Sequence, residues 1–197
     1  MGPSRSPEPP RLVPEHQDLL LGIARASIRH GLDHGRCLEP DLEALPAQLQ
    51  ADGASFVTLK LRGALRGCRG RLSACMPLAE DVAANAFSSA FQDWRFDPVC
   101  AGELAELHLH VSVLSELEPV AFADRRELFA QLEPGRHGLV LEQGDRRGTF
   151  LPDMWAELPD PREFLVQLLI KAGIGRLEGG VKAYRYTTFG FGCMARL

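Results

Sequence analysis

At 197 residues, with 45% hydrophobic and 24% charged content, the chain has the composition of an ordinary globular protein, long enough for one domain or two small subdomains. A formal charge of -4 argues against nucleic-acid binding driven by overall charge, although local patches can still hold phosphates. No apolar run approaches the ~20 residues of a transmembrane helix, and the start lacks a basic region followed by an apolar stretch, so a cytoplasmic location with no membrane partner is expected.

Five cysteines, Cys37, Cys68, Cys75, Cys100 and Cys193, are an odd number without CxxC spacing, which fits reduced thiols and neither a disulfide scaffold nor a metal site. Lysine appears only as Lys60, Lys171 and Lys182 against many arginines, a bias that points to a GC-rich bacterial genome. No P-loop or dinucleotide fingerprint is present, and no cofactor is implied.

Met1 to Pro10 is rich in Pro and Ser, and residues 1–13 are expected to form a flexible tail ahead of a folded domain over 14–197. From Pro14 the positions Leu20, Ile23, Ala24, Ser27 and Ile28 recur at helical spacing, with Gly31 suited to the position just past the end. Residues 32–54 read as a connection with a short helix at Leu42 to Leu49. His34 and Cys37 lie in it, but a closed zinc site needs four ligands.

Phe56 to Gly70, FVTLKLRGALRGCRG, reads as a hairpin. Val57, Leu59 and Leu61 alternate with Phe56, Thr58 and Lys60, the period of a half-buried strand, and Arg62-Gly63-Ala64 reverses the chain. Arg66 and Cys68, two residues apart on the returning strand, are expected to share a face. Cationic neighbours favour the nucleophilic form of a cysteine; the alternative is that Cys68 is a small buried hydrophobe and the arginines are ion-pair partners. Glycines in a strand, here Gly67 and Gly70, mark a bulge or the close approach of another backbone or a ligand.

Pro77 opens a helix with Leu78, Val82, Ala86 and Ala90 on one stripe. Asp93 and Arg95 follow in a loop, either as a structural clamp or as substrate-binding groups. Leu107 to Leu114 is the clearest strand, and its period of two places His108, His110 and Ser112 on one face. If that face adjoins Cys68, His110 can serve as a base for the thiol; the alternative is a solvated face. A short helix at Arg125 to Leu132, a hairpin over Gly138 to Leu151 and a helix from Pro161 to Gly173 follow. A loop at Gly175 to Gly180 and a last strand at Val181 to Phe189 complete the chain. His137 is a second histidine placed to exchange protons in a cleft.

Several of these segments resemble one family. Leu65 to Gly70 resembles the LRGC-x-G signature of the AMMECR-domain family, and Phe56 to Leu59 its preceding strand. Ala90 to Phe96 resembles its AF-x-D-x-RF segment, Val111 to Leu114 its VSVL strand, Gly135 to Leu139 its GxHGL turn and Phe150 to Pro152 its FLP segment. The helix ending in Lys171-Ala172-Gly173 also fits. Arg69 departs from the family, which more often has an aliphatic residue there, and Asp153-Met154 stands where Gln-Val is usual.

The resemblance implies an α+β fold, a mixed or antiparallel sheet with packed helices, in two subdomains around a cleft. It also implies an association with a Memo-like protein and a radical S-adenosylmethionine enzyme, the AmmeMemoRadiSam system. The chain has no CxxxCxxC cluster motif, so radical chemistry would belong to the partner. Two functions stand side by side. In one, a cleft around Arg66 and Cys68 binds or modifies a small anionic substrate, with Cys68, His110 and His137 catalytic and Arg66, Arg95 and Asp93 substrate-binding. In the other, the chain is a non-catalytic adaptor or a nucleotide- or nucleic-acid-binding domain, the last disfavoured by the acidic balance.

Overall fold

The computed structural model describes residues 8–177 and 180–194, without the side chains of 193 and 194. Residues 1–7 of the expected tail and part of the expected loop at 175–180 therefore lie outside the described residues, as does the side chain of Cys193. Leu12 is buried in a core and its carbonyl accepts a hydrogen bond from Gln17, so ordered packing starts ahead of Pro14.

In chain order the helices are α1 (Pro14–His34), α2 (Ala47–Gln50), α3 (Leu78–Phe91), α4 (Arg125–Ala130), α5 (Met154–Glu157) and α6 (Pro161–Ala172), with 3-10 segments at Leu42–Ala44 and Ala101–Glu106. The strands are β1 (Ser55–Leu61), β2 (Ala64–Gly70), β3 (Leu107–Leu114), β4 (Glu118–Val120), β5 (Gly138–Gln143), β6 (Arg146–Phe150), β7 (Lys182–Tyr186) and β8 (Thr188–Met194). They form two four-stranded sheets, β2-β1-β3-β8 and β4-β7-β5-β6, so the fold is α+β as expected. The chain divides into two compact units, one of Pro10–Leu114 with the strand returning from Phe189, the other of Ser115–Thr188 with Glu8 and Pro9.

In the first unit the alternation on β1 and β3 has the expected consequence. Val57, Leu59, Leu109 and Val111 point inward to a core shared with Leu20, Ala24 and Ile28 of α1 and Val82 and Ala86 of α3. Gly31 does not end α1, which continues to His34 and is closed by Gly35 in the left-handed region, its N–H bonded to the Gly31 carbonyl. Gly31 is needed for space: a Cβ there would lie 2.3 Å from the Phe91 ring and 2.9 Å from Phe87, where α3 crosses α1. The expected helix over 42–49 is split, since Pro46 stands at the N-cap of α2 and separates it from the 3-10 turn.

α3 is fixed to the sheet by a polar stripe at four-residue spacing, Asp81, Asn85 and Ser89, all buried. Asp81 Oδ2 accepts from the backbone N–H and hydroxyl of Ser55 and from Asn85, while Arg71 Nε lies 2.9 Å from Oδ1. Burial pushes the Asp81 carboxyl up to about 6 against those favourable partners. Ser89 Oγ donates to the Val57 carbonyl and accepts from the Arg69 N–H, bridging β1 and β2. The close approach foreseen for glycine occurs here. A Cβ on Gly67 would stand 2.1 Å from the Ser89 carbonyl oxygen.

In the second unit β5 and β6 form the expected hairpin, and α6 ends at Gly173, whose positive φ lets its N–H reach the Ile170 and Leu169 carbonyls. Trp155 stacks on Phe164 at 3.9 Å between ring centroids in the centre of this core. The single strand expected over Val181 to Phe189 is two strands in two sheets. The break falls at Thr187, whose N–H donates to Ser115 Oγ while its carbonyl accepts from the Ser115 N–H.

Candidate functional site

The hairpin turn uses two positive-φ residues, Arg62 and Gly63, the two-residue geometry that matches strand twist. β2 then pairs with β1 through an irregular register. Leu59 faces Gly67 but Lys60 faces Leu65, so Arg66 is an extra residue, a β-bulge. The strict alternation expected to put Arg66 beside Cys68 is interrupted at that residue. Its guanidinium turns to the Asp97–Glu103 segment, donating to both carboxylate oxygens of Glu103 at 2.7 and 3.0 Å and to the Asp97 and Pro98 carbonyls. The pair is largely shielded, and the bond from Arg66 holds the Glu103 carboxyl down to about 2.

Cys68 is half-buried and reduced. It sits opposite Thr58, which in turn sits opposite His110, so the three form one row across β2, β1 and β3. Thr58 faces away from the helices, because its neighbours Val57 and Leu59 fill the core. The hydroxyl of Thr58 donates to Cys68 Sγ at 3.4 Å. His110 is a full strand further on, its Cα roughly 10 Å from that of Cys68 by strand spacing. Its imidazole lies against β8, where Gly190 and Gly192 leave it room: Cβ atoms there would approach Nε2 to 2.8 Å and Nδ1 to 3.0 Å. The neighbour of the thiol is thus a threonine.

Asp93 is buried, and one carboxylate serves several donors. Oδ2 accepts from the Cys68 N–H at 2.9 Å and from Arg95 Nη2 at 2.6 Å, and Oδ1 from Arg95 Nε at 2.9 Å. Arg95 also donates to the Cys68 carbonyl at 3.3 Å. The Arg95 hydrogen bonds hold the Asp93 carboxyl down to about 2. Asp93 and Arg95 therefore clamp the turn after α3 onto the backbone of Cys68. Arg69 Nη2 donates to the Gln92 carbonyl on the same turn.

On that clamped turn Trp94 is 84% exposed. With Arg66, Arg95, Phe96 and Asp97 it lines an open depression of about 460 Å³, and the Arg95 guanidinium lies 5.4 Å from the Phe96 ring centroid. Trp94, Thr58 and Glu103 were not singled out from sequence. The available signal for Trp94 was a tryptophan between an acid and a base that have a reason to pair.

His137 belongs to the other unit and is fully buried. Its Nδ1 accepts from the Glu133 N–H and its carbonyl from the Trp155 indole, and burial lowers its pKa below the usual histidine range. Among the described residues no group of three His, Cys, Asp or Glu stands together as a metal site, and no helix is long and apolar enough to cross a membrane.

Fold and site together define an α+β protein of two sheet-based units in which a thiol-bearing hairpin strand is clamped by an Asp–Arg turn. The chain belongs to the AMMECR1 family, whose model matches residues 21–191. A protein from Thermofilum pendens is 35% identical over 190 residues, covering 89% of each chain. One from Thermotoga maritima is 38% identical over 164 residues, covering 81% of this chain and 89% of its own. The crystal structure of an uncharacterized protein from Pyrococcus horikoshii is similar at a TM-score of 0.84 and 33% identity, covering 90% of this chain and 91% of that one.

Proposed function

We propose that this chain acts by recognition, and that its recognition surface is the corner where the LRGC strand meets the Asp93–Asp97 turn. The observation that carries the reading is Trp94, a large apolar side chain 84% exposed on a turn that Asp93 and Arg95 already hold rigid. Tryptophan anchors dominate many protein interfaces, and a pre-ordered one loses little freedom on docking. The charge at the corner supports a protein partner over a small anion. Arg66 and Arg95 are each already bonded to a carboxylate, Glu103 and Asp93, so the charge of both guanidinium groups is engaged within the chain. The AmmeMemoRadiSam resemblance nominates the Memo-like protein or the radical enzyme as that partner.

The chain has two tryptophans, and Trp155 is buried, so quenching by iodide reports on Trp94. Titration with each candidate partner should protect Trp94 from iodide, and Trp94→Ala should weaken the complex at least about thirtyfold, the scale of an interface anchor. A complex in which Trp94 stays open to iodide, or which Trp94→Ala leaves intact, ends this reading.

A second reading keeps thiol chemistry at Cys68. Its specific support is the Thr58 hydroxyl directed at Sγ on the face of the sheet away from the helices. In that reading Cys68 is the nucleophile and Thr58, in place of His110, is the group beside it.

A further inference from the structure

We infer that the groove between α1 and the 38–45 segment is a second docking site, and that its occupant is a basic amphipathic helix of a partner protein. The argument starts from α1 itself. Its core face is carried by Leu20, Leu21, Ala24 and Ile28. A second stripe, Leu19, Gly22, Ile23 and Ala26, repeats at helical spacing alongside it, and Leu19 is 40% exposed. A surface helix needs one apolar stripe; here Ile23 is only partly packed against the core, and Leu19, Gly22 and Ala26 beside it stay exposed.

Leu38, Pro40 and Leu45 form the facing wall, enclosing an open groove of about 830 Å³. Its rim is of one sign. Glu15 and Asp18 stand on the α1 side, Glu39 and Asp41 on the other, all four exposed, and among the described residues no lysine or arginine lines the groove. An apolar floor between two pairs of carboxylates is complementary to a helix with leucine-like side chains on one face and Lys or Arg flanking them. The stripe from Glu15 to Ala26 runs about 16 Å along the α1 axis, the length of three helical turns. Gly22 notches the floor: a Cβ there meets nothing within 4 Å.

The test uses the full chain and a fluorescein-labelled synthetic peptide of about three turns, with leucines every third or fourth position and lysines beside them, followed by fluorescence anisotropy at low and high salt. Saturable binding that weakens with salt is expected, with a loss of about tenfold or more in the Asp18→Lys/Asp41→Lys double variant. Gly22→Phe, which places a ring in the groove, should abolish it. A peptide with glutamates in place of the lysines should bind at least about tenfold more weakly. Circular dichroism melts establish that both variants fold, as exposed positions allow. Absence of saturable binding, equal binding of the two peptides, or indifference to both variants overturns the inference. So does sedimentation showing that wild type self-associates while Gly22→Phe does not, since a second copy would then fill the groove.

Discussion

The carboxylate of Asp93 receives the backbone N–H of Cys68 at 2.9 Å, so the turn after α3 and the strand that bears the thiol are one mechanical piece. Removing that acceptor strands several donors at once. Asp93→Ala should cost about 3 kcal/mol, since it breaks a buried pair whose arginine is still partly solvated. Urea denaturation measures the loss, and the Cys68 amide should exchange its hydrogen faster. A variant as stable as wild type would show that the clamp is ornamental.

The two tryptophans should respond oppositely to truncation. Trp94→Ala removes an exposed side chain, and the melting curve should move by no more than about 0.5 kcal/mol in stability. Trp155→Ala empties a site stacked on Phe164 and leaves the His137 carbonyl without its indole donor, a loss of about 3–5 kcal/mol.

Stability should depend on pH through two opposed groups. Asp81 has its folded pKa raised to about 6, so the unfolded chain releases that proton first and the contribution, full below pH about 4, is lost as pH rises through 6. Asp93 and Glu103, held at about 2, contribute fully above pH about 4 and lose that contribution as pH falls through 2. Urea titrations of wild type and Asp81→Asn between pH 4 and 7 isolate the first effect. The variant should gain on wild type as pH rises, by up to about 3 kcal/mol. A constant difference across that range would mean that Asp81 titrates normally.

Gly67→Ala should destabilise by about 3 kcal/mol despite adding one methyl group, because the obstacle is the backbone carbonyl of Ser89 on α3. Urea unfolding provides the number. An unchanged midpoint would mean that α3 can lift from β2 at no cost.

Thiol chemistry has its own readout. Exposure alone orders alkylation by iodoacetamide as Cys75 and Cys100 before Cys68. If the second reading holds, Cys68 reacts first at neutral pH and Thr58→Val changes its rate. The order that exposure dictates would remove Cys68 as a nucleophile.

Much of the first sheet was legible because half-burial writes itself as alternation: β1 and β3 were placed from Val57, Leu59, Leu109 and Val111. A bulge was legible only as one of the two meanings of Gly67 and Gly70, the other being a close approach. That Arg66 is the extruded residue was not, because the interaction that engages it, the paired hydrogen bonds to Glu103, lies 37 positions away. Gly31 misled for a related reason. A glycine kept for helix crossing and one kept for a helix end look alike until the neighbouring phenylalanines are placed. The split of the last strand at Thr187 likewise depended on Ser115, a distant residue with two hydrogen bonds to offer. Local chemistry was readable, and what long-range partners decide was not.

The sheet of the first unit is completed by β8, whose residues are synthesised only after residues 115–187 of the second unit. On the ribosome, therefore, the open side of β3 must wait through the making of an entire second unit before Gly190 and Gly192 arrive beneath His110. Until then that margin is an unprotected template for any passing strand, and the nascent chain is at its most vulnerable to aggregation late in translation.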